Sequence, residues 1–328
     1  ASGRVDRRRS GTPSHRPQSK IRCPVSDHDQ PDRPDEHAAN DGHSPAVVVV
    51  TDSSCDLPVD VSDELGVVIV PLTIRFGDDE FIDREELTTA EFWSRCVNSP
   101  TLPETAAPAP GQFEQAYRDA AARGASSVLV VSLSSALSAT MQSAILAGRT
   151  IADDDSVDLD VRVVDSHTIT LGLGTIALAC ARAARDGADI DEVEALASDL
   201  VDRTRVFGAL DTLDNLKKGG RIGNAKALLA TALSIKPIIE VTGGVVEQAG
   251  KQRTRSKALA HLVEKVKSFD GDIENLAVLH ADCSDVDLFV ELLSPYYPGD
   301  IVVGEIGPVI GTHGGRGTIG VAFQVAAT

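Results

Sequence analysis

The chain has 328 residues, a formal net charge of −18 and a hydrophobic share of 42%. A chain of this length can form two domains, and its apolar share is sufficient for their cores. The negative charge argues against nucleic acid and anionic lipid surfaces as partners, because binding to either needs clustered Lys and Arg.

Targeting signals and cysteine spacing indicate where the protein works. The sequence has no run of about 18 apolar residues and no secretory signal, so we expect a cytoplasmic protein without stable membrane insertion. Its five cysteines lie far apart and form no CxxC pair. This spacing predicts neither a disulfide framework nor a metal site.

Residues 1–46 differ in composition from the rest of the chain. They hold six of the 16 prolines and four of the eight histidines, with hardly any apolar clustering. Such a segment cannot bury enough apolar surface to offset the entropy of ordering it. We therefore predict a disordered N-terminal tail.

From residue 46 onwards, short apolar runs alternate with amphipathic stretches, which is typical of α/β units. In the first half we predict buried strands over residues 46–50, 67–70, 128–133 and 161–164. The predicted helices cover residues 91–97, 112–123, 138–151, 173–186 and 191–204. These elements indicate an N-terminal α/β domain, residues 47–205, with a mainly parallel sheet.

The second half, residues 206–328, predicts another α/β domain. Strands are expected over residues 207–210, 237–241, 245–248, 276–280 and 301–305, and helices over 256–268 and 285–293. Gly243 and Gly244 lie between two of these strands, which is a hairpin signal. The sheet of this domain should therefore be mixed.

Two polar segments stand near predicted strand ends or helix starts. Residues 51–58, TDSSCDLP, follow the first strand, where ligands of α/β sheets collect, so Asp52 and Ser53 are possible site-lining residues. A simple turn that caps a helix explains them equally well. Residues 104–113 place Thr105 before a stretch of small residues and prolines, although Pro110 could simply open a helix.

Serines accumulate in residues 132–140, at the end of one predicted strand and the start of a helix. Backbone N–H groups and the helix dipole make such a terminus a candidate site for a carboxylate or phosphate. An N-cap without any ligand is the alternative, because Ser and Thr are preferred there.

Two glycine-rich segments carry basic side chains. In residues 216–223, a helix end explains the lysines and glycines but not Arg221. Residues 307–320 contain six glycines around His313, which predicts a loop whose backbone closely approaches another group, although a lone His is more often structural than catalytic. Neither segment matches a nucleotide-binding loop, so we expect no cofactor.

These segments, in this order, resemble the motifs of the DegV family. Residues 51–58 resemble TDS-x-x-DLP, residues 105–111 TSQPSPG, and residues 134–140 SSxLSGT. Residues 216–222 are similar to LxxSGRI and residues 307–320 to GPVxxxHxGPGxxG, and Asp165-Ser166 adds a further match. The resemblance covers residues 47 to about 325.

The resemblance implies two α/β domains with a long-chain fatty acid between them, and an ATP-dependent fatty acid kinase subunit as partner. Carried over to this chain, Thr105 and Ser138 would hold the carboxylate, with Ser134 and Ser135 nearby. The protein itself would be a binding subunit rather than an enzyme.

By the same resemblance, Arg221 and His313 would face the position where the kinase phosphorylates the acid. The chain departs from the family pattern at Ala106, Ala107, Ala139 and Arg316, and at residues 218–219, where Lys-Gly stands in place of Lys-Ser. The departures affect groups around the head of the acid.

Two other functions remain open from the sequence. The protein could be a lipid carrier or regulator without a kinase. Alternatively, Ser138, His313 and Asp52 could form the triad of a lipid hydrolase, although the GxSxG elbow is absent.

Overall fold

The computed structural model describes residues 46–99, 101–230, 235–269 and 272–327. The strands are β1 (Val47–Asp52), β2 (Val68–Val70), β3 (Thr73–Phe76), β4 (Asp79–Ile82), β5 (Glu104–Ala106), β6 (Ser127–Ser132), β7 (Asp160–Asp165), β8 (Thr204–Ala209), β9 (Lys236–Thr242), β10 (Val245–Gln252), β11 (Ile273–His280), β12 (Val302–Glu305) and β13 (Ile319–Val325). The helices are α1 (Val59–Glu64), α2 (Thr89–Asn98), α3 (Pro110–Ala122), α4 (Thr140–Ala152), α5 (Thr170–Arg185), α6 (Ile190–Arg203), α7 (Asp214–Lys218), α8 (Arg255–Lys267), α9 (Val286–Leu293) and α10 (Pro308–Gly314). The predicted tail, apart from residue 46, lies outside the described residues.

A parallel sheet organises the first half of the chain. Its four strands run in the order β2-β1-β6-β7, and every neighbouring pair is parallel. All residues of β1 and β6 are buried, because helices cover both faces of the sheet. The predicted strands and helices of this half are confirmed, with ends that differ by a few residues.

The second half contains a six-stranded mixed sheet in the order β10-β9-β8-β13-β11-β12. Only the β11–β12 pair of this sheet is parallel. Gly243 and Gly244, with φ of 58° and 81°, form the predicted hairpin turn between β9 and β10. The α/β fold class, with a mainly parallel and a mixed sheet, is confirmed.

Helix α5 joins the two halves. It contacts β1 of the parallel sheet and β11 and β13 of the mixed sheet, and most of its side chains are buried. One hydrophobic cluster therefore contains residues of both halves, such as Val49 and Ala322. The division into domains at residues 205 and 206 stays a prediction.

Strand β13 was not predicted, and two further regions differ from the sequence-based expectation. Strands β3, β4 and β5 form a separate antiparallel sheet that was not predicted. Residues 307–320, expected to be a loop, contain helix α10 and the start of β13, and only Gly315 and Gly317 among them have positive φ. Gly311 serves packing instead, because a Cβ there would overlap the rings of Phe92 and Trp93 in α2.

Candidate functional site

A largely apolar cavity is enclosed by residues from both halves of the chain. Its volume is about 190 Å³. Since one water needs roughly 10–15 Å³ of cavity volume, the cavity has room for an organic chain of considerable length. We call it the acyl cavity, and its apolar side chains are those of Leu72, Ala107, Leu133, Leu137, Ala139, Ile169, Val206, Phe207, Leu210, Leu216, Ile239, Val241, Val246, Leu279, Ile306, Val309 and Ile310.

Four of the polar residues singled out in the sequence line this cavity together: Thr105, Ser138, Arg221 and His313. They come from β5, from the turn before α4, from the turn after α7 and from the last turn of α10. Oγ1 of Thr105 lies 3.2 Å from Nε2 of His313. Oγ of Ser138 lies 2.9 Å from Oγ1 of Thr140. Their contact with a ligand stays a prediction.

Arg221 provides an unneutralised positive charge at the cavity. Its Nε donates to the carbonyl oxygen of Leu137 over 3.3 Å, and Nη1 donates to that of Gly219 over 2.8 Å. Within the described ranges, Arg221 forms no ion pair with a carboxylate. The guanidinium is thus held in place by neutral groups and can attract an anion.

His313 is a neutral imidazole at neutral pH. Burial and, second, the positive charge of Arg221 lower the pKa of His313 to about 4. Its Nδ1 is buried and has no hydrogen-bond partner among the described residues. A Cβ at Gly219 would overlap the ring of His313, so only glycine lets the end of α7 approach α10 this closely.

A second, more polar depression adjoins this end of the acyl cavity. Its volume is about 360 Å³, and it shares Thr105, Arg221 and His313 with the acyl cavity. Lys218 and Asn215 also line it. Nδ2 of Asn215 donates to a backbone carbonyl of α10 over 3.1 Å, which ties α7 to the helix that carries His313.

Ser134 and Ser135 do not line the acyl cavity. The hydroxyl of Ser134 donates to the carbonyl oxygen of Gly244 over 2.7 Å, so it fastens the hairpin tip to the first half of the chain. The backbone N–H of Ser135 donates to the carboxylate of Asp165 over 3.2 Å. Both residues therefore connect their loop to other parts of the fold, and their placement does not support the predicted role next to the carboxylate.

Asp52 and Ser53 also lie away from the acyl cavity. The buried carboxylate of Asp52 accepts hydrogen bonds from Ser54 and from the backbone N–H of Leu133. Burial raises the pKa of Asp52 to about 6. Oγ of Ser53 accepts from the backbone N–H of Leu72 over 3.0 Å. The two residues therefore support strand β1 and its neighbours.

The triad of a lipid hydrolase is not formed. His313 contacts Thr105, while both carboxylate oxygens of Asp52 are bound to other groups. A serine nucleophile needs a histidine that is itself oriented by a carboxylate in one hydrogen-bonded line. Ser138, His313 and Asp52 do not provide that line, so the hydrolase hypothesis loses its structural basis.

Asn215, Gly219 and Thr170 lie at the two cavities or next to His313, and no pattern in the sequence predicts this placement. Gly219 was explained as a helix end, and its clearance for His313 is visible only in three dimensions. Thr170 lines the acyl cavity with φ of +49°, which is unusual for a β-branched residue. It lies just after the Asp165-Ser166 match, and no motif in the sequence includes it.

Residues 46–326 match the family model described as uncharacterised protein, DegV family. The chain belongs to the DegV family. A DegV domain-containing protein of Streptomyces coelicolor is 36% identical over 282 residues, which cover 85% of this chain and 98% of that protein. A relative from Mycobacterium tuberculosis is 34% identical over 287 residues, covering 86% and 98%.

Solved DegV family structures share the fold. A protein from Thermus thermophilus, described as a fatty-acid-binding DegV family member, has a TM-score of 0.77 and 32% identity, covering 85% of this chain and 99% of its own. DegV from Bacillus subtilis, described as a fatty acid binding protein, has a TM-score of 0.76 and 27% identity, covering 86% and 100%.

Metal-binding clusters and membrane-spanning helices are absent from the part of the chain that the structure describes. No group of three or more His, Cys, Asp or Glu side chains there could hold a metal ion. No helix there is long and apolar enough to cross a membrane.

Proposed function

We propose that this chain binds one long-chain fatty acid in the acyl cavity. The proposal rests on one observation: Thr105, Ser138, Arg221 and His313 converge at a cavity whose other walls are almost entirely apolar. A fatty acid has the same division into one polar head and a long apolar chain. The fatty-acid-binding descriptions of structural relatives support this reading.

Burial of the chain supplies most of the binding free energy. At roughly 0.8 kcal/mol per CH₂, a 16-carbon chain gains about 10 kcal/mol before the costs of ordering are subtracted. The head group adds orientation, because the hydroxyls of Thr105 and Ser138 can donate to a carboxylate and Arg221 can attract its charge. The acid would therefore bind as an anion.

We further propose that the protein presents the carboxylate to a separate ATP-dependent kinase in the cytoplasm. Arg221 and His313 line both the acyl cavity and the polar depression beside it, where Lys218 adds another cation. Arg221 and Lys218 can stabilise the negative charge that phosphoryl transfer places next to the carboxylate, and the neutral imidazole of His313 can donate a hydrogen bond to it. No nucleotide-binding motif was found in the sequence, so the phosphate donor would belong to the partner.

Binding is tested first on protein purified from cells. Organic extraction followed by mass spectrometry should recover close to one fatty acid per chain. If the purified protein carries no lipid and also fails to take up added palmitate or oleate, the proposal is wrong.

The kinase step is tested with Arg221→Ala and His313→Ala. Arg221→Ala should also weaken fatty acid binding, because it removes the cation at the carboxylate, so acyl-phosphate formation by a fatty acid kinase and ATP is measured at saturating fatty acid, where both variants should still show a lower rate. Lys226→Ala, an exposed cation outside both cavities, is the matched control. Full turnover by both variants would leave a carrier without a kinase as the better description.

A further inference from the structure

A third cavity, of about 350 Å³, has three acidic side chains among the residues that line it. We call it the acidic cavity. It contains Asp56, Asp83 and Glu305, together with Arg84 and His280. None of the three carboxylates forms an ion pair with a described residue. Asp56 and Asp83 are 6% and 1% exposed, so their charges are poorly hydrated.

The acidic cavity and the acyl cavity share a wall at the start of α10. Ile306 and Val309 line the acyl cavity, whereas Gly307 and Pro308 between them line the acidic cavity. A change in this wall therefore acts on both cavities.

One hydrogen bond holds the wall to the first half of the chain. Oδ1 of Asp56 accepts from the backbone N–H of Gly307 over 2.9 Å, across 251 positions of sequence. Gly307 is the residue before α10, and Val309, Ile310 and His313 of that helix line the acyl cavity. The hydrogen bond from Gly307 to Asp56 therefore fixes the start of α10, the helix that carries part of the lipid site.

The carboxyl group of Asp56 titrates near neutral pH. Burial raises its pKa to about 7, while the polar groups of Thr170 and Gly307 and the charge of Arg84 oppose that shift. Asp83 adds a further negative charge that raises the pKa of Asp56.

Other charged groups around Asp56 come from several elements. Asp83 and Arg84 follow β4, and burial raises the pKa of Asp83 to about 6. His280 ends β11 and Glu305 ends β12, and both line the same cavity. Asp52, at the end of β1, is buried nearby and interacts with Asp83. Arg84 is the only permanent cation among the described residues that line the cavity, so deprotonation accumulates negative charge there.

We propose that the contact between Asp56 and Gly307 keeps the lipid site closed and that this contact depends on the protonation of Asp56. Loss of its proton favours an open state in which water reaches the carboxylate, the start of α10 separates from Asp56 and the lipid leaves faster. The sign follows from linkage, because the state with the hydrated carboxylate binds the proton less tightly and is therefore favoured as pH rises. This inference rests on the proposed binding of a fatty acid.

The expected size follows from the same linkage. A carboxyl group whose pKa is about 7 when closed and returns to its ordinary 3.8 when open shifts the opening equilibrium by up to about tenfold between pH 6 and pH 8. Release of cis-parinaric acid, a fluorescent C18 fatty acid, into excess delipidated albumin measures this by stopped flow. The release rate of the unmodified protein should rise by up to about tenfold over that range.

Asp56→Asn is the decisive variant, because Asn can still accept from Gly307 but has no charge to gain. It should release the probe at nearly the same rate at pH 6 and pH 8. Asp155→Asn, at an exposed carboxylate outside both cavities, should retain the pH dependence of the unmodified protein. Comparing variants at each pH removes the effect of the probe's own ionisation.

A second variant keeps the proposal testable if Asp56→Asn does not fold. Asp83→Asn removes a negative charge facing Asp56 and should flatten the pH dependence in part. If Asp56→Asn and Asp83→Asn release the probe with the pH dependence of the unmodified protein, the proposed role of Asp56 is wrong. The proposed binding of a fatty acid is not affected by that result. Failure to bind the probe at any pH would instead overturn the proposed function.

Discussion

At the head of the acyl cavity, one permanent charge stands among neutral hydrogen-bonding groups. Arg221 supplies the charge, and the low pKa of His313 keeps its imidazole neutral at neutral pH. The hydroxyls of Thr105 and Ser138 supply directional hydrogen bonds. Arg221 alone can balance the charge of a bound carboxylate. A protonated His313 would add a second positive charge that repels Arg221.

Thr105→Val and Ser138→Ala should each weaken fatty acid binding by roughly 1–3 kcal/mol, the usual cost of losing a hydrogen bond to a charged group. Fluorescence titration or calorimetry on folded variants measures the change. Ser135→Ala is the matched control, because Ser135 is a serine of the same loop that does not line the cavity. Unchanged affinity in both site variants would place the carboxylate elsewhere.

Gly219→Ala should reduce stability by about 1–3 kcal/mol, because the new Cβ would overlap the ring of His313. The backbone itself is not strained by alanine, since Gly219 has φ of −72°. Urea unfolding measures the loss. In a His313→Ala background the same substitution should cost almost nothing, and an equal loss in both backgrounds would contradict the proposed contact.

At the scale of elements, α10 decides the shape of the site. The helix carries His313, lines the acyl cavity with Val309 and Ile310, and begins at the hydrogen bond between Gly307 and Asp56. It also contacts α2, β3 and β5, so the small antiparallel sheet supports the same helix. A displacement of α10 therefore changes the head group and the wall of the cavity together.

Gly311→Ala should destabilise the protein by about 1–3 kcal/mol, because the Cβ would overlap Phe92 and Trp93 and push α10 away from α2. Fatty acid affinity should fall as well. Gly111→Ala in α3 is the control, since a Cβ there meets nothing within 4 Å and should leave stability unchanged or slightly higher. Thermal unfolding and lipid titration on both variants test this, and equal behaviour would refute the packing role of α10.

At the scale of the whole molecule, buried carboxyl groups couple stability to pH. Burial raises the pKa of Asp52 and Asp83 to about 6 and that of Asp56 to about 7, from an ordinary value of 3.8. Groups with a raised pKa stabilise the fold fully below about pH 4, and this contribution is lost as pH rises through the folded-state values. At neutral pH, these groups have therefore lost most of the stabilisation that they provide at low pH.

The urea midpoint should accordingly fall between pH 5 and pH 8. Asp83→Asn should flatten the fall by about 1.4 kcal/mol between pH 5 and pH 8, because part of the effect of its raised pKa is already present at pH 5. Asp79→Asn, at an exposed carboxylate in β4, should follow the unmodified protein. A midpoint that is constant or rises with pH would show that these carboxyl groups are not buried as described.

The sequence by itself determined most of the local elements and singled out four polar residues that line the acyl cavity. Apolar runs such as residues 128–133 and amphipathic stretches such as residues 112–123 indicated strands and helices, because these periodicities depend on neighbouring residues alone. The family motifs also singled out Thr105 and His313, which lie 208 positions apart and approach within 3.2 Å.

Only the tertiary structure decided what the glycines and buried acids do. Residues 307–320 looked like a loop, but Gly311 is small so that α10 can pack against α2. Asp56 looked like part of a turn, but its carboxylate holds Gly307 at the far end of the chain. Clearance for a Cβ and hydrogen bonds across 251 positions depend on distant parts of the chain, which no local pattern records.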